Sequence, residues 1–214
     1  MRIAIIGASR EAIELVKKLQ ELGHEIVVLD DRRGRIDEIR SQLDVATFFG
    51  ELKHVEVYDE ARIHRADIVI AAHESEESNV IASVFARYRG VPKIIAVVNT
   101  DEVANLLKSL GLAQQVVVRT RKLSQSIIDA LLNIKSIELD GSTLLALINV
   151  EDHKSLVNVS IEDVEKNGLK VLALIDENGN VHTPPPKDAI LKQKHKLIVL
   201  GSIRAISSAL NIGL

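Results

Sequence analysis

The residues whose types and spacing suit chemistry lie in the first thirty positions. Gly7-Ala8-Ser9-Arg10-Glu11-Ala12 follows an apolar run (Ile3 to Ile6) and opens a helical pattern, and Asp30 closes the next apolar run. In the order strand, glycine turn, helix, strand, acid, such residues bind a nucleotide. Backbone N–H groups at the helix start face a phosphate, and an acid about twenty residues on accepts from the ribose hydroxyls. Gly7 supplies the tight turn, and Ala12 is the small residue that lets helix and strand approach. The middle position, where a pyrophosphate rests on bare backbone, is Ser9. Its hydroxyl can hydrogen-bond a phosphate, while its Cβ crowds a dinucleotide. Arg10 adds a counter-charge. Read without a ligand, the same residues give a plain strand–helix turn and a solvated acid at a strand end.

Other reactive groups are sparse. His73 stands at the carboxyl end of an apolar run, where ligands bind in open parallel sheets, and reads equally as a local hydrogen-bonder. Glu74, Glu76 and Glu77 follow it and suit a first helical turn. Asp31 to Asp37, with Arg32, Arg33 and Arg35, reads as a solvated charged face. The seven histidines show no metal-ligand spacing and there is no cysteine, so disulfides and thiolate zinc sites are excluded and no metal site is expected. A nicotinamide-dependent dehydrogenase needs an acid or base beside the hydride. Neither Tyr58 nor Tyr88 has a lysine four residues on, and His153, His182 and His195 have no evident partner. The reading is a non-enzyme, with an NAD(P)-dependent oxidoreductase or a redox-sensing DNA-binding regulator as the alternative.

The elements that would position these groups alternate. Apolar runs at 2–6, 25–29, 45–49, 67–72, 93–98 and 115–118 read as strands. Helical patterns lie between them, among them 12–22, closed by Gly23, and 76–88, stopped by Gly90 and Pro92. This rhythm predicts a doubly wound parallel sheet covered on both faces. Residues 122–132 form an amphipathic helix with Leu123, Ile127, Ile128, Leu131 and Leu132 on its apolar stripe, suited to packing on its own domain or on a partner subunit. Beyond it the chain is strand-rich: 142–150, 169–175, an Asn178-Gly179 hairpin into 181–183, and 196–200. A short helix capped by Ser160 and a closing helix over 203–210 complete the second half. A boundary near 133–137 is expected, giving domains 1–134 and 135–214.

Composition sets outer bounds. A chain of 214 residues with 46% hydrophobic and 2% aromatic residues builds its core from aliphatic side chains. A net charge of −3 favours neither nucleic acid nor an anionic membrane as partner. No apolar stretch approaches the ~20 residues of a membrane span, and strand residues begin at once where a signal would stand. With the absence of cysteine, this predicts a cytoplasmic protein.

The whole chain resembles the TrkA-type, or RCK (regulator of conductance of potassium), family. The pieces carrying the resemblance are RIAIIGASREA, GHEIVVLD, FFGE (Phe48 to Glu51), ADIVIAAHESEESN with Asn79 at a commonly occupied position, and VPKIIAVVNTDEVANLLKSLG. In the second half, GLKVLALIDENGNVHTPPPKDAIL and KLIVLGS are similar to the small α+β TrkA-C domain. Ser9 replaces a usual glycine and Glu51 a usual aspartate; Asn158 stands where glycine is common, and Lys194-His195 where Gly-Asp is common. The resemblance implies a Rossmann-like domain followed by TrkA-C, and a cytoplasmic regulatory subunit of a membrane-embedded potassium channel or transporter. It implies a homodimer through helix 122–132 and an octameric ring. An adenine nucleotide (NAD, NADH, ATP, ADP or AMP) would lie in a cleft lined by Gly7, Ala8, Ser9, Arg10, Asp30, Asp31, Glu51, His73 and Asn99.

Overall fold

Short aliphatic runs separated by capped helices pair side by side in a computed structural model that describes residues 1–212. Through residue 132 the elements are β1 (Arg2–Ile6), α1 (Arg10–Glu21), β2 (Glu25–Asp30), α2 (Arg33–Gln42), β3 (Ala46–Phe49), α3 (Val55–Glu60), β4 (Ile68–Ala71), α4 (Glu76–Tyr88), β5 (Lys93–Val98), α5 (Asp101–Ser109), β6 (Gln115–Val118) and α6 (Arg119–Leu132). The six strands form one parallel sheet in the order β3-β2-β1-β4-β5-β6. The order reverses between β1 and β4, which is the switch point of a doubly wound sheet. Ile6 pairs with Leu29 on one side and Ala71 on the other, so Gly7, Asp30 and His73 leave the sheet along one edge.

Alternation along the strands fills both faces. Ile3, Ile5, Ile26 and Val28 pack with Ala12, Ile13 and Val16 of α1 and with Ile36 and Ile39 of α2. Ala4, Ile6, Val27 and Leu29 pack on the other face with Tyr58 of α3, Ala82 and Ala86 of α4, and Ala104 and Leu107 of α5. Hydroxyl caps start the helices: Ser9, Ser75 and Thr100 accept from the amides of Ala12, Ser78 and Val103, each cap being worth about 1 kcal/mol.

The chain divides into compact units 1–122 and 123–214. The second contains β7 (Lys135–Glu138), β8 (Leu144–Asn149), α7 (Ile161–Glu165), β9 (Lys170–Ile175), β10 (Val181–His182), β11 (Lys196–Gly201) and α8 (Ile203–Ala209). Its five strands are antiparallel in the order β10-β9-β11-β8-β7. Leu144, Ala146, Ile148, Leu197 and Val199 point to a core closed by Leu132, Ile161, Val164 and Ile206.

Four expectations change. The stretch expected as a boundary is the edge strand β7, too short and mixed for its hydropathy to stand out. Residues 51–66, unassigned in the sequence, fold into α3 and a 3-10 turn at Ile63–Arg65, which bury Tyr58 and Ile63. The connector helix begins at Arg119, three residues early, because its first turn is polar. Its apolar stripe also splits. Leu132 is buried and Ile128 packs against the second unit's core, whereas Leu123, Ile127 and Leu131 are exposed. Asn158 has φ +65, a left-handed conformation that asparagine tolerates and glycine adopts freely.

Candidate functional site

The site is built at the carboxyl edge of β1, β2 and β4. Gly7 has φ +110, and a Cβ there would lie 2.4 Å from the backbone of His73. The glycine therefore lets the β1–α1 turn and the β4–α4 loop touch, whatever else binds. Asn79 locks the other side of that contact: its Oδ1 accepts from the His73 amide at 2.7 Å, and its Nδ2 donates to the carbonyls of His73 and Val97, both at 2.8 Å. Ser9 is buried and its Oγ accepts from the Ala12 amide at 3.2 Å, so the residue in the middle-glycine position caps α1. Arg10 is exposed at the first position of that helix.

Asp30 is fully buried at the end of β2. Its Oδ2 accepts from the Ala8 amide at 2.6 Å and from Arg32 Nη2 at 2.9 Å, and its Oδ1 from the Arg32 amide at 2.8 Å and Arg32 Nε at 2.9 Å. A carboxylate offers about four lone-pair sites, and all four directions are taken. Burial alone would raise the Asp30 pKa. Hydrogen bonds from Arg32 and Ala8, together with the guanidinium charge, outweigh it and hold the carboxyl below its ordinary value. Arg32 in turn is pushed above the ordinary arginine value by Asp30 and Glu74. Its Nη1 reaches Glu74 at 2.7 Å, so one guanidinium ties the end of β2 to the loop after β4. The expectation of a solvated charge run over 31–37 is corrected at Arg32, which folds back on the buried acid two residues before it.

Around this corner, His73 Nε2 lies 3.2 Å from Asp31 Oδ1 and 3.8 Å from Asp30 Oδ2. Asp30, Asp31 and His73 thus bring ligand-type atoms within 4.8 Å of one another. The donor set does not suit a metal ion. Asp30 is saturated, and His73 Nδ1 accepts from the Ser75 amide at 3.0 Å, which assigns the ring proton to Nε2. His73 acts as a hydrogen-bond donor to Asp31, with Asp30 beyond bonding distance. Glu11, in the first turn of α1, is held below its ordinary value chiefly by a hydrogen bond from its own amide and next by the Ser9 side chain.

Beside the corner, a groove of about 330 Å³ is lined by Asp31, Glu51, Leu52, Lys53, Glu77, Ser78 and Ile81. Glu51 is solvent-exposed and kept below its ordinary value first by Lys53, then by His54. Asn99 stands at the end of β5. Glu76 accepts from its amide, and its carbonyl accepts from Thr120 Oγ1 at 2.7 Å. Of the residues expected to line one cleft, Ala8, Asp30, Asp31 and His73 form a connected cluster and Glu51 shares a groove with Asp31. Arg10 and Asn99 make no bond to that cluster among the described residues. Sequence reasoning assigned Arg32 to a solvated face and Glu74 to a first helical turn, and it missed Arg119, whose guanidinium donates to the His73 and Glu74 carbonyls at 3.3 and 3.4 Å. A charged residue two positions after a strand-terminal aspartate was a local signal for Arg32; nothing in the sequence pointed to Arg119.

Strand order, switch point and terminal acid define a Rossmann-type doubly wound domain. Residues 3–119 match the model of the TrkA-N domain, and the chain belongs to that family. It is similar to a Trk system potassium uptake protein TrkA homolog of Methanothermobacter thermautotrophicus, 23% identical over 213 residues, which span 98% of this chain and 97% of the relative. Among solved structures, the GsuK channel bound to NAD superposes on 98% of this chain with a TM-score of 0.60 at 22% identity, and this chain spans 38% of it. The GsuK bound to ADP superposes on 60% of this chain with a TM-score of 0.54 at 27% identity, and the match spans 34% of that chain.

Proposed function

We propose that this protein is a cytoplasmic, ligand-sensing regulatory subunit of a potassium channel or transporter and performs no catalysis. The observation that carries the reading is the corner at the switch point, where a buried acid, a glycine turn and a helix N-terminus converge beside an open groove. Such a corner suits an adenine nucleotide, with the ribose toward Asp30, the phosphates at the start of α1, and the base in the groove between Glu51 and Ile81. The full-length likeness to a TrkA homolog supports the potassium system as the partner, and the NAD- and ADP-bound relatives support the ligand class. The second unit is a TrkA-C domain in this reading. The exposed stripe of Leu123, Ile127 and Leu131 is the dimer surface from which a ring is built.

Function follows from differential affinity: a nucleotide shifts the assembly only as far as it prefers one of its shapes. A thermal-shift panel of NAD, NADH, ATP, ADP and AMP tests the ligand class, since binding to the folded state alone raises the midpoint. A dominant stabiliser is expected among them, and a co-expressed potassium system should conduct differently with and without this subunit. Identical conduction, with no nucleotide shifting the midpoint, would sink the proposal. Introducing Ile127→Asp into the exposed stripe should convert a dimer to monomers in sedimentation.

A further inference from the structure

We infer that Arg32 is a built-in occupant of the ribose site, which a nucleotide must displace to bind. The inference rests on the reading of this cleft as a nucleotide site and specifies how the site is regulated. A ribose diol would reach Asp30 with two O–H donors. In this structure two of its four acceptor positions are filled by Arg32 Nε and Nη2, in a bidentate pair at 2.9 Å and 2.9 Å. The guanidinium presents two parallel donors to the carboxylate, as a cis-diol would.

The occupant is also able to leave. The Asp30 side chain is 0% exposed while that of Arg32 is 31% exposed, so the acid is fixed and the cation stands at the surface. The Arg32 backbone amide keeps its own bond to Asp30 Oδ1 at 2.8 Å, which needs no side-chain position. Glu74, 51% exposed, holds the outer edge of the guanidinium. Arg35 Nη2 also lies 3.9 Å from Glu74, so the same carboxylate is shared by two arginines. The diol acid thus carries an internal counterpart of the group it would bind. Nucleotide entry exchanges this internal pair for the ligand. It also breaks the Arg32 tie between the end of β2 and the β4–α4 loop.

The test is calorimetric titration of the full chain with ADP and with 2′,3′-dideoxy-ADP. Removing a cation would ordinarily weaken binding of an anionic ligand. Displacement predicts the reverse: Arg32→Ala binds ADP at least ~10-fold more tightly, with no gain for the dideoxy ligand, which has no diol to offer Asp30. Glu74→Gln loosens only the outer anchor and keeps the fold's buried contacts. It should tighten ADP binding by a smaller factor, and it carries the test if Arg32→Ala proves poorly folded. Equal or weaker ADP binding by both variants, with the wild type binding, overturns the occupant while leaving the nucleotide reading intact. The same holds if the dideoxy ligand gains as much as ADP. Absence of binding by wild type and both variants to ADP and NAD alike overturns the nucleotide reading and the occupant with it.

Discussion

Two aspartates, one in each unit, have every carboxylate direction engaged, and their settings differ. Asp30 collects Ala8 from 22 residues upstream and a full guanidinium from Arg32, at a position closed to water. Asp176 collects the amides of Asn178 and Asn180 at 2.9 Å each, Asn180 Nδ2 at 2.9 Å and His182 Nε2 at 3.2 Å, all within a hairpin turn. Both are held below the ordinary carboxylate value, Asp30 against the opposing pull of burial and Asp176 mainly through Asn180. The difference lies in what the bonds restrain. Around Asp176 they close a loop that the local sequence already favours. Around Asp30 they join a strand end, a helix start and a partly exposed cation, three pieces that the local sequence alone does not bring together.

The largest effect that separates the two is expected from Asp30→Ala. It leaves the buried Ala8 amide without its acceptor and Arg32 without its inner partner, and an unsatisfied buried donor costs about 1–3 kcal/mol, measurable by urea unfolding at neutral pH. The sign of its pH dependence follows from the lowered value. The carboxylate stabilises fully above its unfolded pKa of about 3.9, and the contribution is lost as pH falls through the lower folded value. The gap between wild type and Asp30→Asn should therefore close only in strong acid. A smaller and strictly local effect is expected from Asp176→Ala. Amide exchange at Asn178 and Asn180 should accelerate while the first unit's protection is unchanged; a global loss as large as that of Asp30→Ala would erase the contrast.

The smallest effect should come from His195, a buried ring whose Nδ1 accepts from the Lys192 amide at 3.3 Å. Burial, then Lys192, pushes its pKa down. The fold prefers the neutral ring, so the unfolded chain takes up the proton first and stability falls as pH drops below about 6.5. Unfolding midpoints of wild type and His195→Gln should differ by a constant amount above pH 7, and toward pH 5 the wild type should lose more; parallel curves over the whole range would remove His195 from the balance.

Much of this was legible in residue order. Six aliphatic runs separated by capped helices give a parallel sheet because runs buried on both faces need no polar alternation. Gly7 and Asp30 were legible because their spacing is set by one helix and one strand. The turn at Asp176 was legible as Asn178-Gly179. Less visible were features set by contacts distant in sequence. Residues 51–66 needed the sheet face of Ala4, Ile6, Val27 and Leu29 to bury Tyr58 and Ile63, and β7 needed β8 as a partner. Arg119 reaches the β4–α4 loop across 45 residues. Arg32 was near in sequence, yet a run of mixed charges hides which member faces inward. Only the depth of Asp30 decides that.

The close approach at Gly7 bears on how fingerprints of this kind are weighed. A side chain there would push against the His73 backbone whatever the cleft binds. A descendant of this chain that bound no ligand at all would still have to keep that glycine in order to fold. Counting glycines in the turn therefore diagnoses how tightly two loops are seated.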